Sequence, residues 1–342
     1  MSGGHKITTE HRRDVSEAIS LKEELSAEHL SSAGEFVADL IRYDEGETFA
    51  SKEVKVESFI HAVGVQNRNS KATVVVYANR ADRVRHNIPT VRYGTPIIVV
   101  ESLPAILAIA CSAIRDQRQR PIQLGISGGH KNVGYGTVGG FCRENEDSSL
   151  LVLSNNHVFA NLNKGSRGDE LYQPGSGHGG SAQDTFATLY KYETLHLDGI
   201  TDNRVDAALG RVNDDIGYKN EICSIGRPRG IREAAEQMDV RKHGARTGLT
   251  RGRIEDISYD TVVGTSSGVA KFTNQIRITK EPRKPHIALP GDSGSLIVTG
   301  GSRNIRAVGL LFACGIGGSY AIANPLQAVL DTLMVELVVG NI

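Results

Sequence analysis

Apolar positions along the chain change rhythm three times. From Thr8 to about Leu40 charged residues dominate, with Ile19, Leu21, Leu25 and Leu30 on one side of a helical spacing, which predicts a solvated or partner-facing helix. Unbroken apolar runs bounded by Asn, Gly and Pro then predict strands at Val54–Val65, Ala72–Tyr77 and Thr95–Glu101, and the run Pro104–Ile114 predicts a closing apolar helix, with Pro121 beyond it as a stop or linker. After Gly125 short apolar runs alternate with Gly, Asn and Asp, the texture of a barrel or sandwich: Leu150–Leu153, Val205–Val212, Ile254–Ser258, Gln275–Thr279, Ser295–Thr299 and Arg306–Phe312. A last helix is predicted from Pro325 to about Leu337, with Leu326, Val329, Leu330 and Leu333 at helical spacing.

This pattern divides the chain into a helical extension (1–50), a small α/β module (51–120) and a mainly β domain (121–342), the last as two lobes at about 125–216 and 221–322 plus the helix at 325–338. Length agrees, because 342 residues exceed what one hydrophobic core usually supports. The 38 glycines beside 8 Phe and no Trp favour turn-rich β structure with small-residue packing. Formal charge is zero, which offers no general field for nucleic acid or anionic membrane; the basic run Arg115–Arg120 reads as the wet end of a helix. The polar start, Met1–Arg13, lacks the apolar segment of a secretory signal, and no run is long enough to span a membrane. Cys111, Cys142, Cys223 and Cys314 are far apart with no metal-ligand spacing, so they read as free thiols, and the chain as cytoplasmic.

Three motifs can carry chemistry. Leu289-Pro290-Gly291-Asp292-Ser293-Gly294-Ser295 places a serine on a glycine-flanked turn ahead of the strand Leu296-Ile297-Val298. A serine hydroxyl is a weak nucleophile and needs such exposure, with N–H donors beside it; Gly291 lets its own N–H and that of Ser293 converge. Leu151–Ser154 delivers His157 at the end of a strand, and Val205-Asp206-Ala207-Ala208 sets an acid at the mouth of another, where burial demands a hydrogen-bond partner. Each motif alone has a bland reading as a polar turn, a surface histidine or an ordinary strand-end Asp. Together they run His, Asp, Ser, spaced by about 50 and about 90 residues, the order of the chymotrypsin class and of neither subtilisin nor the α/β-hydrolases.

On these residues the sequence resembles the chymotrypsin/trypsin-like serine proteases, in particular trypsin-like peptidases of the bacterial and plant narrow-leaf type. The resemblance covers about Gly125 to Leu337 and, more loosely, Val63 to Glu101. It extends to Val240–Gly252, similar to the strand and turn that open the second barrel, and to Gly309–Ala313 and Ala321–Pro325, similar to the pocket-edge strand and the start of the closing helix. It implies a mainly β fold with a chymotrypsin-like double β-barrel, and a serine endopeptidase with His157 as base, Asp206 as its orienting acid and Ser293 as nucleophile. Gly291 and Ser293 would form the oxyanion hole, and Ile287, Ala313 and Cys314 the specificity pocket. Ile287 stands where trypsin has its pocket aspartate, which implies an apolar preference. A base of this kind must be neutral, so activity is expected to fall as pH drops through roughly 6 to 7. Val158, Arg241 and Arg251 occupy places where secreted relatives carry cysteine, no Ile-Val-Gly-Gly activation sequence precedes the first barrel, and Phe312 falls where relatives often place a serine beside the triad acid. Asp292 is therefore expected to brace its loop internally.

The resemblance implies a protein or peptide substrate, with no cofactor and no metal; neither nucleic acid nor membrane is expected as a partner. Two other readings compete. A catalytically silent scaffold binding peptides in the same cleft has no physical need for a buried Asp–His pair beside a serine. A metal hydrolase using His157, His178 and His196 lacks a His-Glu-x-x-His helix. The first 120 residues fit regulation, recruitment or homo-oligomer contacts equally well.

Overall fold

The computed structural model describes residues 9–30, 60–68, 71–102, 105–107, 117–144, 149–301 and 303–340. The amino-terminal helix α1 spans Thr9–His29, and residues 31–40 of the expected helix lie outside the described residues. One face is solvated, with Glu17, Glu23, Glu24 and Glu28 exposed, while Ala18, Leu21, Leu25 and Leu30 are buried against β1 (Ile60–Arg68) and β2 (Lys71–Ala78). Their three- and four-residue spacing lays one stripe on the sheet. Lys22 lies on that buried face.

β1 and β2 form an antiparallel pair, Val63 opposite Val76. The short helix α2 (Ala81–Val84) and the hairpin strand β3 (Val91–Arg92) then carry the chain to β4 (Thr95–Glu101), which lies parallel to β2 with Val74 opposite Ile97. Parallel pairing requires such a crossover, and the unbroken Val and Ile runs of β2 and β4 suit strands covered by α1. The next strand, β5 (Ala105–Leu107), corrects the expectation of a helix across these residues; residues 108–114 of that expected helix lie outside the described ones.

β6 (Ile122–Leu124) leads into the first lobe: β7 (Ser127–His130), β8 (Gly136–Thr137), β9 (Gly140–Arg143), β10 (Leu151–Ser154), the single-turn helix α3 (Asn156–Phe159), β11 (Glu170–Tyr172), β12 (Thr185–Tyr192) and, after β13 (Asp198–Asn203), which leaves this sheet, β14 (Ala208–Val212). The sheet runs β9-β10-β14-β12-β11-β7-β8 and curls on itself, so that just past β8 the Gly139 N–H bonds Leu153 of β10. β15 (Tyr218–Ile222) pairs with β6 between the lobes.

The second lobe contains β16 (Asp239–Gly244), β17 (Gly248–Thr265), β18 (Gly268–Lys280), β19 (Leu296–Thr299), β20 (Ala307–Gly315) and β21 (Tyr320–Pro325). Each strand bonds the next in the ring β16-β17-β18-β21-β20-β19-β16, a closed six-stranded barrel without free edges. β17 and β18, 18 and 13 residues long, project beyond the ring. There β1 pairs with β17, Ala62 opposite Thr261, so the amino-terminal sheet is continuous with the barrel.

The final helix α4 (Leu326–Leu333) buries Leu326, Val329, Leu330 and Leu333 in the first lobe's core, beside Leu296 and Leu310 of the second. It stops earlier than expected: Met334 takes a left-handed conformation, φ 55°, and β22 (Glu336–Leu337) adds to β9. Among the described residues no helix is long and apolar enough to cross a membrane.

Candidate active site

The first lobe supplies two of the three predicted groups. β10 ends in Ser154-Asn155, and α3 turns the chain so that His157 faces inward, almost wholly buried. Asp206 precedes β14 and is completely buried. Its Oδ2 lies 2.5 Å from His157 Nδ1, and its Oδ1 accepts the His157 backbone N–H at 3.3 Å. A carboxylate on Nδ1 fixes the proton there and leaves Nε2 as the basic nitrogen. His157 Nε2 has no hydrogen-bond partner among the described residues. The Asp206 backbone is held by both lobes: Asn155 Nδ2 donates to its carbonyl at 2.8 Å, and its N–H donates to Asn324 Oδ1 of β21 at 3.1 Å. Asn324 in turn donates to Gln275 Oε1.

The second lobe supplies Ser293, on the turn between Leu289 and β19. Gly291 and Gly294 have φ of 103° and 94°, which side-chain-bearing residues rarely adopt. A Cβ on Gly291 would lie 2.3 Å from the Tyr135 ring, which stacks on His178 at 3.7 Å. β8 ties this turn across the lobes: Thr137 N–H donates to Ser293 O at 2.7 Å and Thr137 Oγ1 to Gly291 O at 2.9 Å. The Ser293 hydroxyl is buried and donates to the Phe312 carbonyl of β20 at 3.1 Å. Phe312, read as a neighbour of the triad acid, thus meets the serine through its backbone, while its ring packs on Phe272. The N–H groups of Gly291 and Ser293 bond no protein acceptor among the described residues.

Asp292 is braced from within, as the missing activation sequence suggested, though with a partner the sequence did not indicate. Its Oδ1 accepts the N–H groups of Arg246 and Thr247, each at 3.0 Å; its Oδ2 accepts the Leu289 N–H at 3.0 Å and the Thr247 hydroxyl at 2.7 Å. Lys242 Nζ lies 3.1 Å from the same Oδ2, and both side chains are fully buried. Lys242 also donates to Thr247 Oγ1 and the Gly248 carbonyl. Burial alone would raise the Asp292 pKa, but the Lys242 ammonium and the surrounding donors hold it below the ordinary carboxylate value.

A closed six-stranded ring beside a second curled sheet, with the His–Asp pair on one and the serine turn on the other, decides the architecture. The fold is chymotrypsin-like. No protein-family model and no curated protein matches the chain. Among solved structures it is similar to Thermobifida fusca Protease A (21% identity, TM-score 0.45, 64% of this chain and 99% of that one). It is also similar to Cellulomonas bogoriensis chymotrypsin (18%, 0.44, 64% and 100%) and to an alpha-lytic protease homolog, N4 (19%, 0.43, 63% and 97%).

The predicted pocket residues stand apart from one another within this chymotrypsin-like frame. Ile287 and Cys314 pack in one interior cluster with Val240 and Ile254, while Ala313, on the opposite face of β20, packs with Phe312 and Tyr320 in another. Burial raises the Cys314 thiol pKa to about 12. Of the histidines weighed as metal ligands, His157 holds Asp206 and His178 lies 2.8 Å from Ser127 Oγ. Among the described residues no three His, Cys, Asp or Glu side chains are grouped to hold a metal ion. Thr137, Asn324 and Lys242 escaped the sequence reading; Lys242 stands between Arg241 and His243 in a largely charged strand, which gives no sign that it is buried.

Proposed function

We propose that the protein is a serine endopeptidase in which Ser293, His157 and Asp206 act as a triad. The observation that carries this reading is the His157 Nδ1–Asp206 contact with Nε2 left unpartnered among the described residues, in a chain whose other lobe sets Ser293 on a turn between two glycines of positive φ. A structural role would have no use for a buried, half-satisfied imidazole, because an unpaired polar atom in the interior costs about 1–3 kcal/mol.

The chemistry follows from these groups. Ser293 Oγ turns from the Phe312 carbonyl toward His157 Nε2, gives it the proton, and bonds the carbonyl carbon of a peptide. The oxygen of that carbonyl takes the negative charge and is held by the Gly291 and Ser293 N–H groups; one such donor typically contributes about 100- to 1000-fold in rate. His157 then protonates the departing amine as the C–N bond breaks, leaving an ester on Ser293. Water, deprotonated by the same imidazole, cleaves that ester and restores the serine. Asp206 holds the ring and stabilises the imidazolium throughout. The apolar preference expected from Ile287, Ala313 and Cys314 has no shared pocket to carry it, because the three side chains are buried in two separate interior clusters.

The test is labelling by diisopropyl fluorophosphate. Stoichiometric, chelator-insensitive modification that disappears in Ser293→Ala is expected. A chain with intact fold and no labelling would establish the silent scaffold instead.

A further inference from the structure

β20 has two edges. β21 covers one, pairing from Gly309 to Cys314. β19 covers the start of the other, Leu296 opposite Leu310 and Val298 opposite Ala307. The serine turn follows along this second edge: Gly294 N–H bonds Leu311 O, Leu311 N–H bonds Ser295 O, and Ser293 Oγ reaches Phe312 O. Because β21 already holds Ala313 and Cys314 from one side, whatever pairs with Ala313–Gly315 from the other side lies on the nucleophile's edge, immediately beyond Ser293. A peptide presenting a carbonyl to Ser293 in extended form has this edge for its main chain, since strand addition satisfies backbone donors and acceptors without regard to side chains.

That edge is already taken. β5 pairs with it antiparallel, Leu107 opposite Ala313, Ile106 opposite Cys314 and Ala105 opposite Gly315, while its far side pairs parallel with β17, Ala105 opposite Val263. The occupant is delivered by the amino-terminal module. Ser102, three residues ahead of β5, bonds Ala78 O through its N–H, and its carbonyl meets His61 Nε2 at 2.7 Å. His61 is buried, and burial lowers its pKa to about 4. The module itself is pinned to β17 by the buried pair Lys22–Asp260, 3.0 Å apart.

We propose that β5 is a built-in occupant of the substrate strand edge: the amino-terminal module keeps the peptidase closed to extended peptides, and the site accepts a substrate only when Ala105–Leu107 leaves β20. This inference rests on the assignment of Ser293 as nucleophile.

The test separates the two claims by using one small and one extended reagent. Diisopropyl fluorophosphate needs no strand edge, whereas a tetrapeptidyl diphenyl phosphonate does. Successive residues of a strand point their N–H groups to opposite sides, so of Ile106→Pro and Leu107→Pro one must delete a donor aimed at β20. A tethered competitor acts at an effective concentration of roughly a millimolar, so its release is expected to speed the peptidyl reagent at least about tenfold in one of the two variants. The small reagent should label wild type and variants at equal rates. Hydrogen exchange on the wild-type chain gives a reading independent of the variants: with the peptidyl phosphonate bound, amides 105–107 should lose protection while 313–315 keep it. Equal peptidyl rates in wild type and both variants, or undiminished protection of 105–107 in the adduct, would overturn the occupancy while leaving the nucleophile standing. Absence of labelling by either reagent in any chain would refute the nucleophile, and the occupancy with it.

Discussion

Replacing Lys242 by Met tests how the serine turn is held in shape. Asp292 lies between the two residues whose N–H groups would bind the oxyanion, and its carboxylate is wholly buried beside the ammonium at 3.1 Å. At an effective dielectric of about 20 the attraction across that distance is roughly 5 kcal/mol. Removing the lysine also removes its own cost of burial, and the carboxylate keeps the donors from Leu289, Arg246 and Thr247. Breaking a buried pair from one side costs about 3–5 kcal/mol, and the lower part of that range is expected here. A shift of the turn by about 1 Å would lower kcat on the order of 100-fold, with KM little changed. The pH response has a defined sign. The folded-state pKa of Asp292 is depressed, so its contribution is present above the ordinary carboxylate range and is lost as pH falls through the depressed value. In Lys242→Met that contribution should shrink, because burial then acts on the carboxylate without the ammonium that offsets it. Urea denaturation at pH 7 and 5, with kcat and KM on one peptide, reads all three effects, and Lys242→Arg should recover part of each. A destabilisation under about 1 kcal/mol with unchanged kcat would show that backbone donors alone hold the turn.

Asp256 is fully buried, its Oδ2 lacks a partner among the described residues, and burial raises its pKa to about 8. It stays protonated in the folded chain at neutral pH, so stability is full below the unfolded value near 4 and declines as pH rises toward 8. Asp256→Asn should remove that decline, gaining up to about 4 kcal/mol at pH 7 and almost nothing at pH 4 in denaturant titrations; equal effects at both would contradict it. Gly291→Ala sets a methyl 2.3 Å from the Tyr135 ring at φ 103° and should cut kcat at least about 100-fold while fluorescence-monitored melting shows the fold retained. Lys22→Met leaves Asp260, among the described residues, with Ser26 and the Asn274 N–H, and is expected to destabilise the amino-terminal module by about 3 kcal/mol; protease nicking confined to that module reports it, and an unchanged digest would refute the pairing.

The barrel strands and the three site motifs were legible because each is locally encoded: a run such as Leu296-Ile297-Val298 can only be buried, and glycines flanking Ser293 announce an unusual turn. What was misread depends on partners far away. Ala105-Ile106-Leu107 is apolar on every side, and a short run of that kind fits a helix or a strand equally; two neighbouring edges, at β17 and β20, make it a strand. Lys22 sits among Glu and Lys and reads as solvated, yet Asp260, more than 200 residues later, draws it into the interior. Lys242 was in view within its strand, but nothing near it in sequence names Asp292. Local pattern specifies which residues are covered; it does not say by what.

The pairing of β1 with β17 bears on how the chain is made. Ala62 meets Thr261, so during synthesis the first sheet must wait for about 200 further residues, roughly 10–40 s at ordinary ribosomal rates, before its outer strand finds a neighbour. Until then β1 presents a bare row of amide groups to solvent and to other nascent copies. Slowing translation just ahead of Asp260 should therefore increase aggregation of the newborn polypeptide, whereas the same pause placed after Thr279 should be harmless.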